Sequence, residues 1–388
     1  MNMSDRSLRV ALANLLLHTA PLLAEDWSAP LEPTQNWISV AASADGAKLA
    51  AAGNYGTIYT STNSGAIWTP ATSDSVLRPW QQLASSADGT RLIAVGGPTI
   101  WTSTNSGNTW IETVMSGKMW GGVASSADGS RLVIVDHNVG QIYVSINGGV
   151  TWNATSAPSR RWRSVASSAD GSKLVAGADV GPGYTDRGSI FVSTNFGAFW
   201  TETTAPATGA WQALASSADG TKLAAGVYGG LIYTSTNSGA TWTASPAPNR
   251  RWGSIACSAD GRRLVGAAWN DVVYVSADAG GTWTATGTPA AQWQAVASSA
   301  DGSKLVAAVW GGEIYSSPAS PALSIALSGD RAVISWPASA SGFALQHNSE
   351  PSGPNWTDVP TSPIADGGKN QVTISPLLGQ QFFRLVQR

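Results

Sequence analysis

Four acidic residues have the chemistry needed for acid–base catalysis: Asp136, Asp179, Asp271 and Glu313. A glycosidase needs two carboxylates that flank the scissile bond, about 5–5.5 Å apart for retention or 6.5–9.5 Å apart for inversion. The pairs Asp136/Asp179 and Asp271/Glu313 are therefore the catalytic candidates. Acidic residues are also common on solvent-exposed loops that have no catalytic role. The residue types therefore leave both interpretations open, catalytic acids and ordinary surface acids.

A second set of residues is suited to binding. Four of its members are aromatic, and the other two offer hydrogen-bonding groups. Proteins commonly hold sugars between such groups, because aromatic rings stack on the apolar sugar faces while polar side chains bind the hydroxyl groups. The set therefore predicts a poly- or oligosaccharide partner. Its members are Tyr55, His137, Asp179, Tyr228, Trp269 and Trp310.

Other chemistries find little support in the composition. The chain of 388 residues has three histidines and one cysteine, Cys257, so we expect no metal site, no cofactor and no intrachain disulfide. The formal net charge of −2 gives no electrostatic basis for binding nucleic acid. Beyond residues 1–24, no apolar stretch is long enough to span a bilayer, so we expect no membrane insertion.

These candidate residues are carried by a sequence repeat. Seven segments begin with tryptophan and reach an Asp-Gly turn eight residues later, and the steps between the tryptophans are 43, 40, 42, 49, 41 and 41 residues. In the fifth copy, WQALASS, TKLAAGV, LIYTS and TWT predict four short strands separated by turn residues. Four such strands per repeat fit one blade of a β-propeller. The opening tryptophans are Trp37, Trp80, Trp120, Trp162, Trp211, Trp252 and Trp293.

The turn between the third and fourth strands recurs six times, as in STNSGATW (Ser235–Trp242). It resembles the Asp-box, the Ser-x-Asp-x-Gly-x-x-Trp hairpin of sialidase-type propellers with BNR repeats, although Asn replaces Asp in five of the six copies. We expect the Asn or Asp side chain to cap backbone N–H groups, and glycine to take the position of positive φ. The resemblance implies a β-propeller fold and says little about chemistry.

The two ends of the repeat region complement each other. The seventh copy ends at Ser317 with three strands, whereas Trp27 lies ten residues before Trp37, the spacing that separates a fourth strand from the next copy. We therefore predict an all-β fold in which residues 25–317 form a seven-bladed β-propeller closed by an N-terminal strand. That closure leaves no unpaired blade edge.

The flanking segments predict an exported protein. Residues 1–24 resemble a secretory signal peptide, with two arginines before an apolar run and a small residue at the end. A linker at 318–321 leads to residues 322–388, whose alternating strands resemble the small β-sandwich modules that end many secreted bacterial proteins. We expect a secreted, extracellular or periplasmic monomer with an accessory module.

Residues that differ between the copies predict where the site lies. The residue type five positions after the leucine of each second strand differs between the copies. We expect these residues around the mouth of the central channel. In related propellers, this face lies opposite the Asp-box turns. The first four copies present polar residues or glycine there, and the last three present aromatic residues. The ring is Asn54, Gly97, His137, Asp179, Tyr228, Trp269 and Trp310.

The pattern predicts a secreted carbohydrate-binding propeller that recognises a glycan at this mouth. One alternative is a glycoside hydrolase or polysaccharide lyase that uses the mouth carboxylates, and whether the chain is an enzyme stays open. A sialidase fits less well, because the arginines do not follow that family's pattern. A further alternative is a protein-interaction or assembly scaffold, because the repeats also resemble the propellers of photosystem II assembly factors.

Overall fold

The computed structural model describes residues 27, 33–71, 78–179, 188–206, 209–317, 323–328, 331–338, 343–349, 356–375 and 381–387. The segments predicted as a signal peptide (1–24) and a linker (318–321) lie outside these residues. The chain divides into two compact units between residues 319 and 320. Every regular element in the described ranges is a β-strand. Nothing in those ranges is a helix long and apolar enough to cross a membrane.

The first four repeats each contribute four antiparallel strands. Repeat 1 contains β1 (Gln35–Ala42), β2 (Leu49–Gly56), β3 (Ile58–Ser61) and β4 (Thr69–Pro70). Repeat 2 contains β5 (Arg78–Ser85), β6 (Leu92–Gly96), β7 (Thr99–Ser103) and β8 (Ile111–Val114). Repeat 3 contains β9 (Trp120–Ser125), β10 (Leu132–Asp136), β11 (Ile142–Ser145) and β12 (Asn153–Ala154). Repeat 4 contains β13 (Trp162–Ser167), β14 (Leu174–Ala178), β15 (Ile190–Ser193) and β16 (Thr201–Glu202).

Repeats 5 and 6 follow the same order, and repeat 7 has three strands among the described residues. Repeat 5 contains β17 (Trp211–Ser216), β18 (Leu223–Gly230), β19 (Ile232–Ser235) and β20 (Thr243–Ala244). Repeat 6 contains β21 (Arg250–Cys257), β22 (Leu264–Asp271), β23 (Val273–Ser276) and β24 (Thr284–Ala285). Repeat 7 contains β25 (Ala291–Ser298), β26 (Leu305–Gly312) and β27 (Ile314–Ser316).

The opening tryptophan of each repeat is the centre of its packing. All seven are at most 1% exposed. Each indole meets an aromatic ring of the third strand edge to face, with ring centroids 5.1–6.1 Å apart. An edge-to-face pair is favourable because the positive ring edge meets the negative ring face. Each apolar cluster in this unit combines residues from two neighbouring repeats, so the tryptophans join the repeats as well as filling them.

Two polar turns recur with nearly constant geometry. In the Asp-Gly turn of repeat 2, the Ser86 hydroxyl donates to Asp88 Oδ1 at 2.6 Å, and the same oxygen accepts the Thr90 N–H at 2.9 Å. These hydrogen bonds lower the pKa of Asp88 to about 2, and the bond from Ser86 has the largest effect. In the hairpin of repeat 5, Asn237 Oδ1 accepts the Thr241 N–H at 2.9 Å, and Gly239 has a φ of +86°. In the hairpin, Asn237 and Gly239 thus take the roles predicted from the sequence.

Backbone hydrogen bonds run from repeat to repeat around a complete circle. One alanine N–H of each repeat donates to the equivalent alanine carbonyl of the next, at 2.6–2.8 Å, and the last bond joins repeat 7 to repeat 1. The alanines are Ala44, Ala87, Ala127, Ala169, Ala218, Ala259 and Ala300. The strand ladders themselves do not close into one sheet, because repeats 3 and 4 form separate four-stranded sheets.

The C-terminal unit contains two antiparallel sheets. One has the strand order β28-β29-β33-β32 and the other β31-β30-β34. Their core combines Ile334, Trp336 and Val372 from the first sheet with Leu345 and Phe383 from the second. The strands are β28 (Ser324–Ser328), β29 (Arg331–Pro337), β30 (Phe343–Asn348), β31 (Thr357–Asp358), β32 (Ile364–Asp366), β33 (Lys369–Ile374) and β34 (Phe382–Gln387).

The packing role of the opening tryptophans is tested by Trp211→Ala. Trp211 is fully buried, so its truncation removes apolar burial and leaves a cavity between two repeats. We expect the free energy of unfolding to fall by about 3–5 kcal/mol. The measurement is equilibrium urea denaturation followed by tryptophan fluorescence.

Phe199→Ala is the control, because Phe199 is an aromatic residue of the same unit that is 74% exposed. We expect this substitution to change the free energy of unfolding by less than about 0.5 kcal/mol. Equal effects of the two substitutions would contradict the assignment of Trp211 to the core.

Candidate functional site

Hairpin tips carry the aromatic residues that the sequence analysis selected. The second strands of repeats 5, 6 and 7 run on into tips that pair with the first strand of the following repeat. These pairings join Tyr228 to Arg251, Trp269 to Gln292 and Trp310 to Asn36. The last pairing links repeat 7 to repeat 1, so the aromatic tips lie along consecutive repeats.

The aromatic rings are partly engaged by other side chains. Trp269 and Trp310 are half-buried, and their ring centroids lie 6.4 Å apart with the planes tilted by 51°. The guanidinium of Arg251 lies 5.4 Å from the centroid of the Tyr228 ring. The structure therefore brings two predicted binding residues into contact and places an arginine against a third.

Tyr55 has an unusual backbone conformation. It occupies the tip position of repeat 1 with a φ of +49°, and its side chain is 66% exposed. The equivalent tips of repeats 5 and 7 use glycine at this conformation, Gly229 and Gly311. A large side chain in the left-handed region is unfavourable, and such strain is concentrated at functional surfaces. Tyr55 is thus a solvent-facing aromatic residue held at an energetic cost.

His137 joins the predicted site to a group of arginines. Its Nδ1 lies 3.2 Å from the Trp162 carbonyl oxygen, and its Nε2 lies 3.3 Å from an Arg161 terminal nitrogen. Because a carbonyl accepts and a guanidinium donates, this arrangement requires a neutral ring that carries its proton on Nδ1. Burial, followed by the nearby charge of Arg163, lowers the pKa of His137. His137 therefore orients Arg161 as a neutral acceptor.

Asp136 is built into the structure of its loop. Its side chain is 2% exposed and lies 3.1 Å from Lys118 Nζ. Asp136 Oδ1 also accepts backbone N–H groups of Met119 at 3.3 Å and Asn138 at 3.0 Å. A buried carboxylate with these partners holds two loops together, which explains its position without a catalytic role.

The other three acidic candidates lie in different surroundings. Asp271 forms an ion pair with Arg250 and accepts the Tyr274 hydroxyl at 3.2 Å. Asp179 is half-buried, and its negative charge opposes the lowering of the Arg163 pKa. Burial, followed by the charge of Glu313, raises the pKa of Tyr315. Their roles in catalysis stay predictions. In the described ranges, no group of three or more His, Cys, Asp or Glu residues is arranged to hold a metal ion.

First strands of all seven repeats line a central cavity of about 140 Å³, which we call the axial channel. Arg163 is the one charged residue among the described residues that line it. Arg163 is not among the site residues predicted from the sequence, although the residue after each opening tryptophan varies among the copies. These residues are Ile38, Gln81, Gly121, Arg163, Gln212, Gly253 and Gln294.

Comparison with known proteins identifies the fold of the repeat region. No protein-family model and no curated sequence matches the chain. Among solved structures, YCF48 from Cyanidioschyzon merolae is similar, with a TM-score of 0.59 and 17% identity over 75% of this chain and 98% of that chain. A structure of YCF48 bound to D1 peptide has a TM-score of 0.58 and 16% identity, over 76% and 98% of the two chains. The likeness shows a β-propeller fold.

The comparison also corrects the function predicted from the sequence. The carbohydrate-binding function and the poly- or oligosaccharide partner are wrong, because the solved chain of similar fold is bound to a peptide and not to a sugar. At the tips, the planes of Trp269 and Trp310 are tilted by 51°, and the Arg251 guanidinium lies 5.4 Å from the centroid of the Tyr228 ring. Part of the aromatic surface is therefore already in contact with other side chains.

The structural role of Asp136 is tested by Asp136→Asn, with Asp271→Asn as the matched control. Both acids form ion pairs, but their side chains are 2% and 24% exposed. We expect Asp136→Asn to lower the free energy of unfolding by roughly 1–3 kcal/mol, because at this buried position an amide NH₂ group, itself a donor, replaces the carboxylate oxygen that pairs with Lys118. The more exposed pair should contribute less than about 1 kcal/mol. Urea denaturation of both variants is the measurement, and a larger loss for Asp271→Asn would contradict the assignment.

Proposed function

We propose that the chain is a seven-bladed β-propeller that acts as a protein-interaction scaffold and binds a peptide segment of its partner at the channel mouth. The observation that carries the proposal is the likeness of the repeat region to a propeller solved with a bound peptide. The proposal includes export from the cytoplasm, for which the N-terminal sequence is the support, and a β-sandwich as the accessory module.

The blade count is supported by contacts between the first and last repeats. The alanine hydrogen bonds pass through seven repeats before they return to the first. The indole N–H of Trp37 donates to the Gly312 carbonyl at 3.0 Å, as Trp80 donates to Gly56 between repeats 1 and 2 at 3.1 Å. The same type of contact therefore occurs at the closing junction and at an ordinary one.

The closing strand is supported by the environment of Trp27. The fourth-strand tryptophan of each of repeats 2 to 6 packs in the cluster between its own repeat and the preceding one. Trp68 does the same between repeats 7 and 1. Trp27 packs in the one remaining cluster, between repeats 6 and 7. This packing supports the proposal that the N-terminal segment supplies the fourth strand of the seventh blade.

The closure is tested by Trp27→Ala beside Trp68→Ala. If the two indoles occupy equivalent positions, each substitution removes similar packing, and we expect each to lower the free energy of unfolding by about 3 kcal/mol. Ile67→Ala, at a neighbouring side chain that is 65% exposed, is the control and should have little effect. A stable Trp27→Ala variant next to a destabilised Trp68→Ala variant would refute the closure.

The charge around the mouth favours a partner with negative groups. Lys118 is paired with Asp136, and Arg250 with Asp271. Among the remaining described residues of this region, positive charges outnumber negative ones. The positive residues are Arg160, Arg161 and Arg251, and the negative ones are Asp179 and Glu313. Guanidinium groups bind carboxylates through two parallel hydrogen bonds, so this cluster is suited to an acidic segment.

The aromatic tips complement this charge. Tyr55 and Tyr228 are 66% and 50% exposed, and the half-buried Trp269–Trp310 pair belongs to consecutive repeats near them. Aromatic and arginine side chains are enriched among the residues that contribute most to protein interfaces. We infer that the partner segment combines acidic residues with apolar ones.

The proposed interaction is tested with an array of synthetic peptides of equal length, graded from acidic to basic and from apolar to polar. We expect the full chain to bind acidic peptides that contain apolar residues, and to bind them more weakly at high salt because the charges are screened. Arg161→Gln should weaken binding roughly tenfold, a difference of about 1.4 kcal/mol.

Arg262→Gln is the matched control, because Arg262 is exposed in an Asp-Gly turn and the substitution makes the same change in net charge. We expect it to bind as the unchanged protein does. Absence of binding to every peptide, or equal losses in the two variants, would overturn the proposed function.

A further inference from the structure

The axial channel has a chemistry of its own, apart from the mouth. Arg163 is half-buried and lines the channel, and no acidic side chain is among the described residues that line it. Glycine follows the opening tryptophan in repeats 3 and 6, as Gly121 and Gly253, so no side chain of those residues fills the space. A positive charge therefore borders an open, polar cavity.

Most of the hydrogen-bonding capacity of Arg163 is unused. Its Nε donates to Gln212 Oε1 at 2.9 Å. Within the described ranges, no group accepts a hydrogen bond from its two terminal nitrogens. Burial lowers the pKa of Arg163, and the charge of Asp179 acts in the opposite direction. An arginine nevertheless stays protonated in proteins, so the guanidinium presents donors and a full positive charge.

Two glutamines add donors to the channel. Gln212 and Gln82 both line it. Gln212 Oε1 is already bonded to Arg163, and Gln82 Oε1 accepts the Val123 N–H at 2.8 Å. Because each oxygen faces a donor of the protein, the NH₂ group of each side chain is the group left to bind a ligand. Gly122 permits this arrangement, since a Cβ at that position would lie 2.8 Å from Gln82 Oε1.

Ser39 supplies a further donor. Its oxygen accepts the Leu83 N–H at 2.9 Å, which leaves the hydroxyl proton free to be donated. Cationic and neutral donors thus belong to residues that line a cavity, and no carboxylate is among its described lining residues.

We propose that the axial channel binds one carboxylate-type oxyanion, held by the Arg163 guanidinium and by the amide NH₂ groups of Gln82 and Gln212. Charge-assisted hydrogen bonds of this kind are shorter and stronger than neutral ones. The ligand is either a free small acid or a carboxylate of a bound partner. The site does not depend on the proposed peptide interaction, because it requires only channel residues.

The test is isothermal titration calorimetry of the full chain with sodium acetate and with inorganic phosphate, at constant ionic strength. We expect saturable binding of at least one of these anions. Arg163→Gln should weaken that binding at least roughly tenfold, because it removes the charge from the channel. Arg262→Gln is the control of equal charge change and should bind normally. The proposal is overturned if the unchanged protein binds neither anion, or if Arg163→Gln binds as well as the control.

A second variant keeps the test decisive if Arg163→Gln folds poorly. Gln212→Glu places a fixed carboxylate beside the Arg163 guanidinium, where Oε1 already accepts a hydrogen bond. We expect this variant to lose anion binding and to have a higher Tm, because the internal carboxylate takes the place of the ligand. Anion binding equal to that of the unchanged protein would exclude the site.

Competition identifies the source of the carboxylate. If it belongs to the partner, acetate displaces the peptides selected on the array, and Gln212→Glu weakens their binding. If the ligand is a free small acid, acetate binds without displacing them. Calorimetry with acetate tests the channel site without any peptide, and the peptide array tests the proposed function without acetate. Failure of this site and failure of the proposed function are therefore distinguishable.

Discussion

The fold of the repeat region depends on one interaction, the burial of a tryptophan at the start of each repeat against an aromatic ring of the third strand. The contact recurs seven times with nearly perpendicular planes, at 72–86°. Several of these indoles also donate to a glycine carbonyl of the preceding repeat, as Trp252 does to Gly230 at 3.1 Å. One side chain thereby fixes both the interior of a repeat and its distance from the neighbour.

Fixed tryptophans determine which positions remain available for binding. The residue after each tryptophan lines the axial channel, and the tip that follows the second strand pairs with the first strand of the next repeat. Neither position contributes much to the core, so both can vary without loss of the fold. The Asp-Gly turns and the hairpins satisfy their own backbone groups through short side-chain bonds, so these acids are already occupied. The scaffold and the candidate site are therefore separated by position within each repeat.

Charged and aromatic residues at the variable positions are unevenly distributed among the repeats. Arginines are concentrated in repeats 4 and 6, and the aromatic tips occupy consecutive repeats from 5 to 1. A partner that satisfies both features carries negative and apolar groups within one segment. The axial channel below differs from the mouth, because its donors are fixed by bonds between neighbouring repeats. Arg163 and Gln212, for example, come from successive first strands.

The sequence by itself determined the features that depend on local pattern: the repeat, the buried tryptophans, the Asp-Gly turns, the hairpins and the positions that vary. It could do so because strand period and turn chemistry act over a few residues and recur in each copy. Only the tertiary structure decided which side chains are available. Asp136 looked like a free acid but is buried against Lys118, and His137 is held as an acceptor for Arg161. Arg163 was missed because the channel exists only when all seven first strands surround it. The carbohydrate prediction was wrong for a related reason: aromatic and polar residues suit sugars and peptides alike, and how the rings are presented depends on neighbouring repeats distant in sequence.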